Sequence, residues 1–211
     1  MSGAETSHER DGRFARGDAR KERILRASIR EFGRKGYDGT RVADIAREAG
    51  VTDAGVLHHF GSKQELFLAA TAYREEVVWG VLDGEPVSVR ALFDGMIAMV
   101  RHSAADPDLL AFRAMLVGAY RAEGNPVAGR DSTTLSAALD WLTPIVRKGI
   151  AEGEIDESVD PEQLVLEALA LTEGIRTHWA ALPGRIDYVH VASQAINSLY
   201  ERARSRREHS S

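Results

Sequence analysis

Seven histidines and no cysteine bound the chemistry open to this 211-residue chain. The histidines are His8, His58, His59, His102, His178, His190 and His209, and no two are spaced His-x-x-x-His. Without thiolates or that helical pairing, the usual zinc spacings are missing. His58 and His59 are neighbours and should point to different faces of one helix, so they cannot readily share a metal. His102 and His178 could meet inside the fold, but satisfied core or surface histidines explain them as well. No glycine-rich phosphate loop, nucleophile elbow or paired-carboxylate motif occurs. The expectation is therefore no enzyme, no cofactor and no metal. The remaining chemistry gathers between residues 40 and 63. Thr40, Arg41, Thr52, Asp53, His58, His59 and Lys63 carry hydroxyl, cationic, carboxylate and imidazole groups, with small Ala54 and Gly55 among them. Such groups suit hydrogen bonding to phosphates and base edges.

The elements around these residues are legible. Val42, Ile45, Ala46 and Ala49 fall on one helical face. Gly50 should end that helix, since glycine tolerates the positive φ of a sharp turn. Val51 can plug the corner, and a second short helix follows with Val56 inward. Ala46 is small where two helices must cross closely. The pattern fits a helix-turn-helix, whose second helix lies in the major groove of DNA with its N-terminal residues toward the bases. An ordinary helical hairpin would satisfy the same two positions, so the flanks decide. Upstream, Arg20 to Lys35 forms an amphipathic helix with Ile24, Leu25, Ala27, Ile29 and Phe32 on its apolar side, ended by Gly36. Thr40 is expected to cap the next helix. Downstream, Ser62 and Glu65 form a capping box. Lys63 then sits at a helix N-terminus, against the dipole, which suits a neighbouring phosphate. A solvated surface lysine is the alternative.

With these residues in place, residues 20–67 resemble the DNA-binding domain of the TetR family of bacterial transcriptional repressors. The resemblance is carried by Arg23-Ile24-Leu25, Phe32, Gly36-Tyr37-Asp38-Gly39-Thr40, Val42, Asp44-Ile45-Ala46, Ala49-Gly50-Val51, His59-Phe60 and Ser62 to Leu66. The family usually has an aromatic, often tyrosine, at the position of Leu57, where it reaches a phosphate. Leu57 cannot hydrogen-bond, so either a histidine beside it takes over or that phosphate goes without a partner. The resemblance implies an all-α protein with a three-helix helix-turn-helix head and a C-terminal helical ligand-binding and dimerisation domain. It also implies a homodimer on a palindromic double-stranded operator and a small-molecule effector of unknown identity.

Charge agrees once its distribution is considered. The net charge is −5. Residues 1–60 carry 12 Lys/Arg against 10 Asp/Glu, whereas residues 61–200 carry 11 against 20. The head is basic and the body acidic, which orients the molecule on a polyanion. The polar N-terminus lacks a signal-peptide core. No run approaches the roughly 18 apolar residues of a membrane span. The expectation is a cytoplasmic protein with no membrane partner.

The expected divisions are a flexible arm at 1–17, the head at 18–61, the body at 62–200 and a flexible tail at 201–211. A helix from Ser62 to Leu82 should join head to body. Asp83 to Pro86 reads as a turn, and Ser88 and Asp106 as helix caps. Asp131 or Ser132 should start a long helix that Pro144 kinks. Asp160-Pro161 opens a helix that is apolar on nearly every side, Pro183-Gly184 turns the chain, and Asp187 caps the last helix. Leu171, Ile175, Ala192, Ala195 and Leu199 on these two helices are the dimerisation candidates; they could equally close a monomer's core. Phe93, Met96, Met99, Phe112, Met115, Tyr120, Trp141, His178 and Trp179 are candidates to line a ligand pocket between helices. Core packing explains each of them singly. A DNA-binding regulator whose body recruits a protein partner and binds no small molecule is the alternative reading.

Overall fold

A computed structural model describes residues 7–81, 84–182 and 184–204, the side chains of 7–17 and 131–133 excepted. The expectations for residues 1–6, Leu82, Asp83, Pro183 and 205–211 lie outside the described residues. Within them the chain is all α: α1 (Ser7–Gly39), α2 (Val42–Ala49), α3 (Asp53–Phe60), α4 (Lys63–Trp79), α5 (Val89–Ala105), α6 (Pro107–Ala119), α7 (Arg130–Ala151), α8 (Pro161–Ala181) and α9 (Tyr188–Ala203). No described helix is long and apolar enough to cross a membrane. The helices form two compact units, Met1–Arg74 and Glu75–Ser211.

In the first unit, Ile24, Leu25, Ala27, Ile29 and Phe32 are buried as the α1 pattern requires, and Ile45, Ala46 and Ala49 of α2 meet them. Leu66, Phe67 and Ala70 of α4 are buried here too. The unit therefore ends inside α4, later than the expected break after residue 61. Phe67 is the centre of an aromatic cluster, 4.8 Å from the Phe32 ring and 5.0 Å from the Tyr37 ring. Tyr73 of α4 donates to Glu22 of α1 at 3.0 Å. The first helix starts at Ser7, not near Arg20, so residues 7–17 continue it and are not a separate arm. Once the apolar face of a helix is packed, each added residue gains a hydrogen bond, and arginine, alanine and glutamate propagate well. The helical path breaks at Gly36, whose φ of 72° only glycine adopts without strain.

The second unit packs α5 against α9, α7 against α8, and α8 against α9. Its core joins Leu92, Phe93 and Met96 of α5, Leu142 and Val146 of α7, Leu164 and Ala168 of α8, and Ala192, Ile196 and Leu199 of α9. Ser88, Asp106, Asp160 and Asp187 accept backbone N–H groups as caps of α5, α6, α8 and α9. The long helix begins at Arg130 after Gly129, one residue before the expected Asp131, and runs on through Pro144. A second cap of α5 comes from far along the chain. Glu154 accepts from the N–H groups of Val89 at 2.9 Å and Arg90 at 2.7 Å, and from the Tyr200 hydroxyl at 3.1 Å. A carboxylate there satisfies orphan donors and meets the positive helix end.

That junction leaves no room at Gly149. A Cβ added there would overlap Val89 Cγ2. Helix propensity alone favours alanine by about 1 kcal/mol. Overpacking costs about 1–3 kcal/mol, so Gly149→Ala is expected to destabilise the protein. A urea midpoint higher than that of the wild type would show that Val89 moves aside freely.

Candidate nucleic-acid interface

The turn between α2 and α3 is built as its residues dictate. Gly50 has φ 66° and ψ 40°, in the left-handed region. The Val51 N–H returns to the Ala46 carbonyl at 2.9 Å and the Gly50 N–H to that of Arg47 at 3.3 Å. Ala46 is 1% exposed, so the close crossing requires its small side chain. Thr52 then caps α3, its hydroxyl accepting from the Gly55 N–H at 3.1 Å. Val56 and Phe60 are buried and seat the helix. The opposite face is open: Thr52, Asp53, Ala54, Leu57 and His58 are exposed, Gly55 and His59 half-buried. The two imidazole rings lie 5.7 Å apart, His58 outermost. The structure thus brings Thr52, Asp53, Ala54, Gly55 and His58 to one accessible end of α3.

Thr40 differs from expectation. It is 1% exposed, and its hydroxyl lies 2.7 Å from the Gly36 carbonyl and 3.1 Å from that of Glu31. It therefore ties off the end of α1. It neither caps α2 nor faces solvent, because its hydroxyl proton is directed at those α1 carbonyls. The N-cap of α2 is Arg41, which makes no side-chain cap bond. Arg41 is exposed, and among the described residues its guanidinium has no ion-pair partner.

Lys63 is already positioned within the fold. Its ammonium lies 4.4 Å from the centroid of the Tyr37 ring and 3.5 Å from the Asp38 carbonyl. Both are weak, partial partners for a cation at a helix N-terminus, and they hold it at one spot. The capping box behind it forms in a variant way. Ser62 accepts from the Glu65 N–H at 3.1 Å and donates its hydroxyl to Glu65 at 3.0 Å.

Much of the basic character of α1 is spent internally. Arg26 pairs with Glu22 at 2.9 Å, Arg30 with Glu48, and Lys35 bridges Glu31 at 2.5 Å and Asp44 at 3.0 Å. Arg47 adds a bond to Asp44 at 2.7 Å. The sequence pattern did not reveal the Arg30–Glu48 and Lys35–Asp44 pairs, because their partners sit on different helices. Hydrogen bonds from Lys35 and Arg47 hold the Asp44 carboxyl below its ordinary range. The hydrogen bonds that Lys35 donates to Glu31 and Asp44 raise its ammonium pKa. Arg20, Lys21 and Arg23 are exposed and, among the described residues, unpaired.

In the second unit the ligand candidates are not gathered in one place. Phe93 and Met96 are 1% and 4% exposed within the core, Phe112 is fully buried, and Tyr120 is 5% exposed. Met99, Met115 and Trp179 are half-buried. Trp141 and His178 are exposed, which removes them from any enclosed lining. Trp141 lies against Trp79 instead, with ring centres 5.8 Å apart. His178 lies in an open groove of about 450 Å³ with Leu171 and Ile175. Ala192 and Leu199 are 0% and 2% exposed inside the chain's own core, so they cannot form a surface for a second copy. Both sit on the α9 stripe turned toward α5 and α8. Ala195 remains half-buried.

Sequence patterning did not reveal the polar cross-link of the body. Arg113 of α6 reaches Glu173 of α8 through Nε at 3.1 Å and Nη2 at 3.0 Å, and the Tyr120 hydroxyl at 3.2 Å. Arg176 donates to the same Glu173 oxygen at 2.7 Å. Burial works against the Arg113 charge, but Glu173, Tyr120 and Glu75 outweigh it and raise its pKa.

Comparison with known proteins bears on both units. Residues 24–70 match the family model described as bacterial regulatory proteins, tetR family. The HTH-type transcriptional regulator YerO of Bacillus subtilis is 43% identical over 54 residues, 26% of this chain and 19% of that protein. The HTH-type transcriptional regulator RutR of Escherichia coli is 25% identical over 177 residues, 81% of this chain and 78% of that protein. Among solved structures, NalD, the secondary repressor of the MexAB-OprM multidrug efflux pump in Pseudomonas aeruginosa, is similar with a TM-score of 0.71. That likeness has 19% identity and covers 90% of this chain and 98% of NalD. The fatty acid degradation regulator FadR of Bacillus halodurans gives a TM-score of 0.69 at 17% identity, over 85% of this chain and 97% of FadR. These two likenesses show the fold.

The α1–α2 lattice makes the head sensitive to pH. A depressed Asp44 pKa contributes stability above the ordinary aspartate value, about 3.9, which is lost as pH falls through the folded value. A raised Lys35 pKa contributes stability below about 10.4, lost as pH rises through its folded value. Asp44→Asn is therefore expected to melt lower than the wild type at pH 7. The gap should close below about pH 4. Thermal unfolding followed by circular dichroism across pH checks this, and a constant gap would contradict it.

Proposed function

We propose that this chain, a DNA-binding transcriptional regulator similar to the TetR family, is a homodimeric repressor that leaves a palindromic operator when its body binds a small molecule. The observation that carries the DNA side of this reading is the open end of α3. Thr52, Asp53, Ala54, Gly55 and His58 are accessible together on a helix that Val56 and Phe60 hold in place. Arg41 and Lys63 flank that helix in sequence and supply cations at the starts of α2 and α4. Such groups fix a protein on phosphates, while the α3 residues reach base edges. His59, half-buried beside them, is a further phosphate donor in this reading. Thr40 is not, because its hydroxyl is already engaged.

Dimerisation is assigned to the outward faces of α8 and α9. Leu171 and Ile175 are half-buried along the α8 groove, where Ala170 and Gly174 allow close approach. Ala195 joins them on α9. Operator symmetry mirrors protein symmetry, so two heads read two half-sites. The repressor sign draws support from NalD, a repressor similar in fold. For the effector, the candidates left with accessible surface are the half-buried Met99, Met115 and Trp179, and methionine suits an adaptable site. The open α8 groove is also the feature that the protein-recruiting alternative would use.

Selection from random duplexes is expected to return an inverted repeat. On that repeat, Arg41→Ala should weaken binding to all duplexes alike and lower the log–log salt slope by about 0.9 for each phosphate left unneutralised. Selection without a palindrome, or an unchanged slope, would contradict the assignment.

The effector reading is tested by linkage. Trp79, Trp141 and Trp179 all lie in the second unit and report on it by fluorescence. A small molecule that quenches them should lose affinity when operator is present, by the same factor by which it weakens operator binding, about 5–150-fold. A molecule that binds the body and leaves operator affinity unchanged would favour the protein-partner alternative.

A further inference from the structure

Leu57 stands apart in the first unit. The large apolar side chains of α1, α2 and α4 that pattern inward are buried there, and Val56 and Phe60 of α3 with them. Leu57 is 41% exposed, on the face of α3 that carries Asp53, Ala54 and His58. The other large apolar side chains with comparable exposure among the described residues, such as Val87, Leu166 and Leu182, lie in the second unit. An exposed leucine loses nothing by its position, but it gains only if an apolar group meets it. On the DNA-facing helix of a DNA-binding protein, the surface that meets it is the duplex.

We propose that Leu57 reads the 5-methyl group of a thymine in the major groove. The proposal rests on the operator reading above. The chemistry of the face selects among the apolar features of DNA. Asp53 and Leu57 are four residues apart, so they share one side of α3. Neither gains from the phosphate backbone: the carboxylate is repelled by it, and the leucine has no donor for it. A face made of these two is suited to base edges. There Asp53 accepts from the N4 amine of cytosine, and an aliphatic side chain packs on the thymine methyl. Ala54, exposed three residues before Leu57, widens the apolar strip. Along the helix axis Asp53 and Leu57 are about 6 Å apart, or one to two base-pair steps of about 3.4 Å. The thymine therefore sits one or two base pairs from the cytosine that Asp53 reads. This makes Leu57 a determinant of specificity, not a gap in the phosphate clamp.

Deoxyuridine provides the test, since it removes the 5-methyl of thymidine and keeps every hydrogen-bonding group. The duplex selected by the wild-type protein is remade with each thymine of the half-site replaced in turn. The expected result is one position per half-site where uracil weakens wild-type binding about fourfold, the value of one buried methylene. At that position Leu57→Ala, and separately Leu57→Gln, should bind thymine and uracil duplexes equally. Leu57 is on the surface, so both variants should keep the wild-type circular dichroism and salt-dependent binding to random duplex. Uracil tolerated at every position by the wild type overturns the proposal, even if Leu57→Ala binds more weakly, because the leucine then lies on sugar. A uracil penalty retained by both variants overturns it as well, since another side chain reads the methyl. Selection that yields no consensus at all strikes the operator reading itself, and is thereby told apart from failure of the leucine assignment.

Discussion

An isolated helix shorter than about 12–15 residues is marginal in water, and α3 has eight residues. Everything the first unit presents therefore depends on forces outside that helix. Val56 and Phe60 bury its inner side, Thr52 closes its start, and Gly50 and Gly61 take positive φ at its two ends. Behind these lie the Phe32, Tyr37 and Phe67 rings, which lock α1 to α4. Thr40 then closes the end of α1 through its hydroxyl, which meets two of that helix's carbonyls. The open face of α3 is positioned by its buried face. A recognition surface held in this way presents its side chains in one arrangement, which reduces the ordering cost of binding.

The electrostatics of the head divide into two roles. Arg30 and Lys35 of α1 reach Glu48 and Asp44 of α2 and brace the two helices, while Lys35 also pairs with Glu31 within α1 and Arg47 with Asp44 within α2. Exposed pairs of this type contribute little stability individually, but a shared lattice fixes the angle between two helices. Arg20, Lys21, Arg23 and Arg41 are left with solvent-facing charge. The count of basic residues therefore overstates the number available to a polyanion. Lys63 is intermediate: Tyr37 and the Asp38 carbonyl hold its ammonium without neutralising it.

The body follows a different plan. Its α5–α9 core is apolar, and a dense polar cross-link joins α6 to α8 through Arg113, Glu173 and Arg176. Two guanidinium groups converge on one carboxylate oxygen in a site that is largely shielded, with Arg113 14% exposed. Breaking such a pair by removing one partner strands a buried charge. The arrangement fixes how α6 meets α8. Glu154 does the same for the start of α5, where a carboxylate from beyond α7 replaces water on two backbone donors.

Local patterns were legible in the sequence. The face made by Val42, Ile45, Ala46 and Ala49, the turn at Gly50, the break at Gly36 and the Ser62–Glu65 pairing depend on neighbours within a few residues, and all occur in the structure. So do the caps at Ser88, Asp106, Asp160 and Asp187. Periodicity also identified buried residues without saying what would bury them. Ala192 and Leu199 read as surface for a second copy, yet close the chain's own core, since a helical stripe looks the same against either partner. The hydroxyl of Thr40 turned from α2 to α1 for a similar reason: the carbonyls it meets belong to residues 4 and 9 positions away. Trp141 and His178, apolar or aromatic by type, proved to be exposed. The sequence by itself determined the elements and the chemistry of the α3 face, because both follow from local backbone preference and side-chain type. Only the tertiary structure decided which cations stay free and which apolar residues face inward, because those outcomes depend on distances between helices that no local spacing encodes.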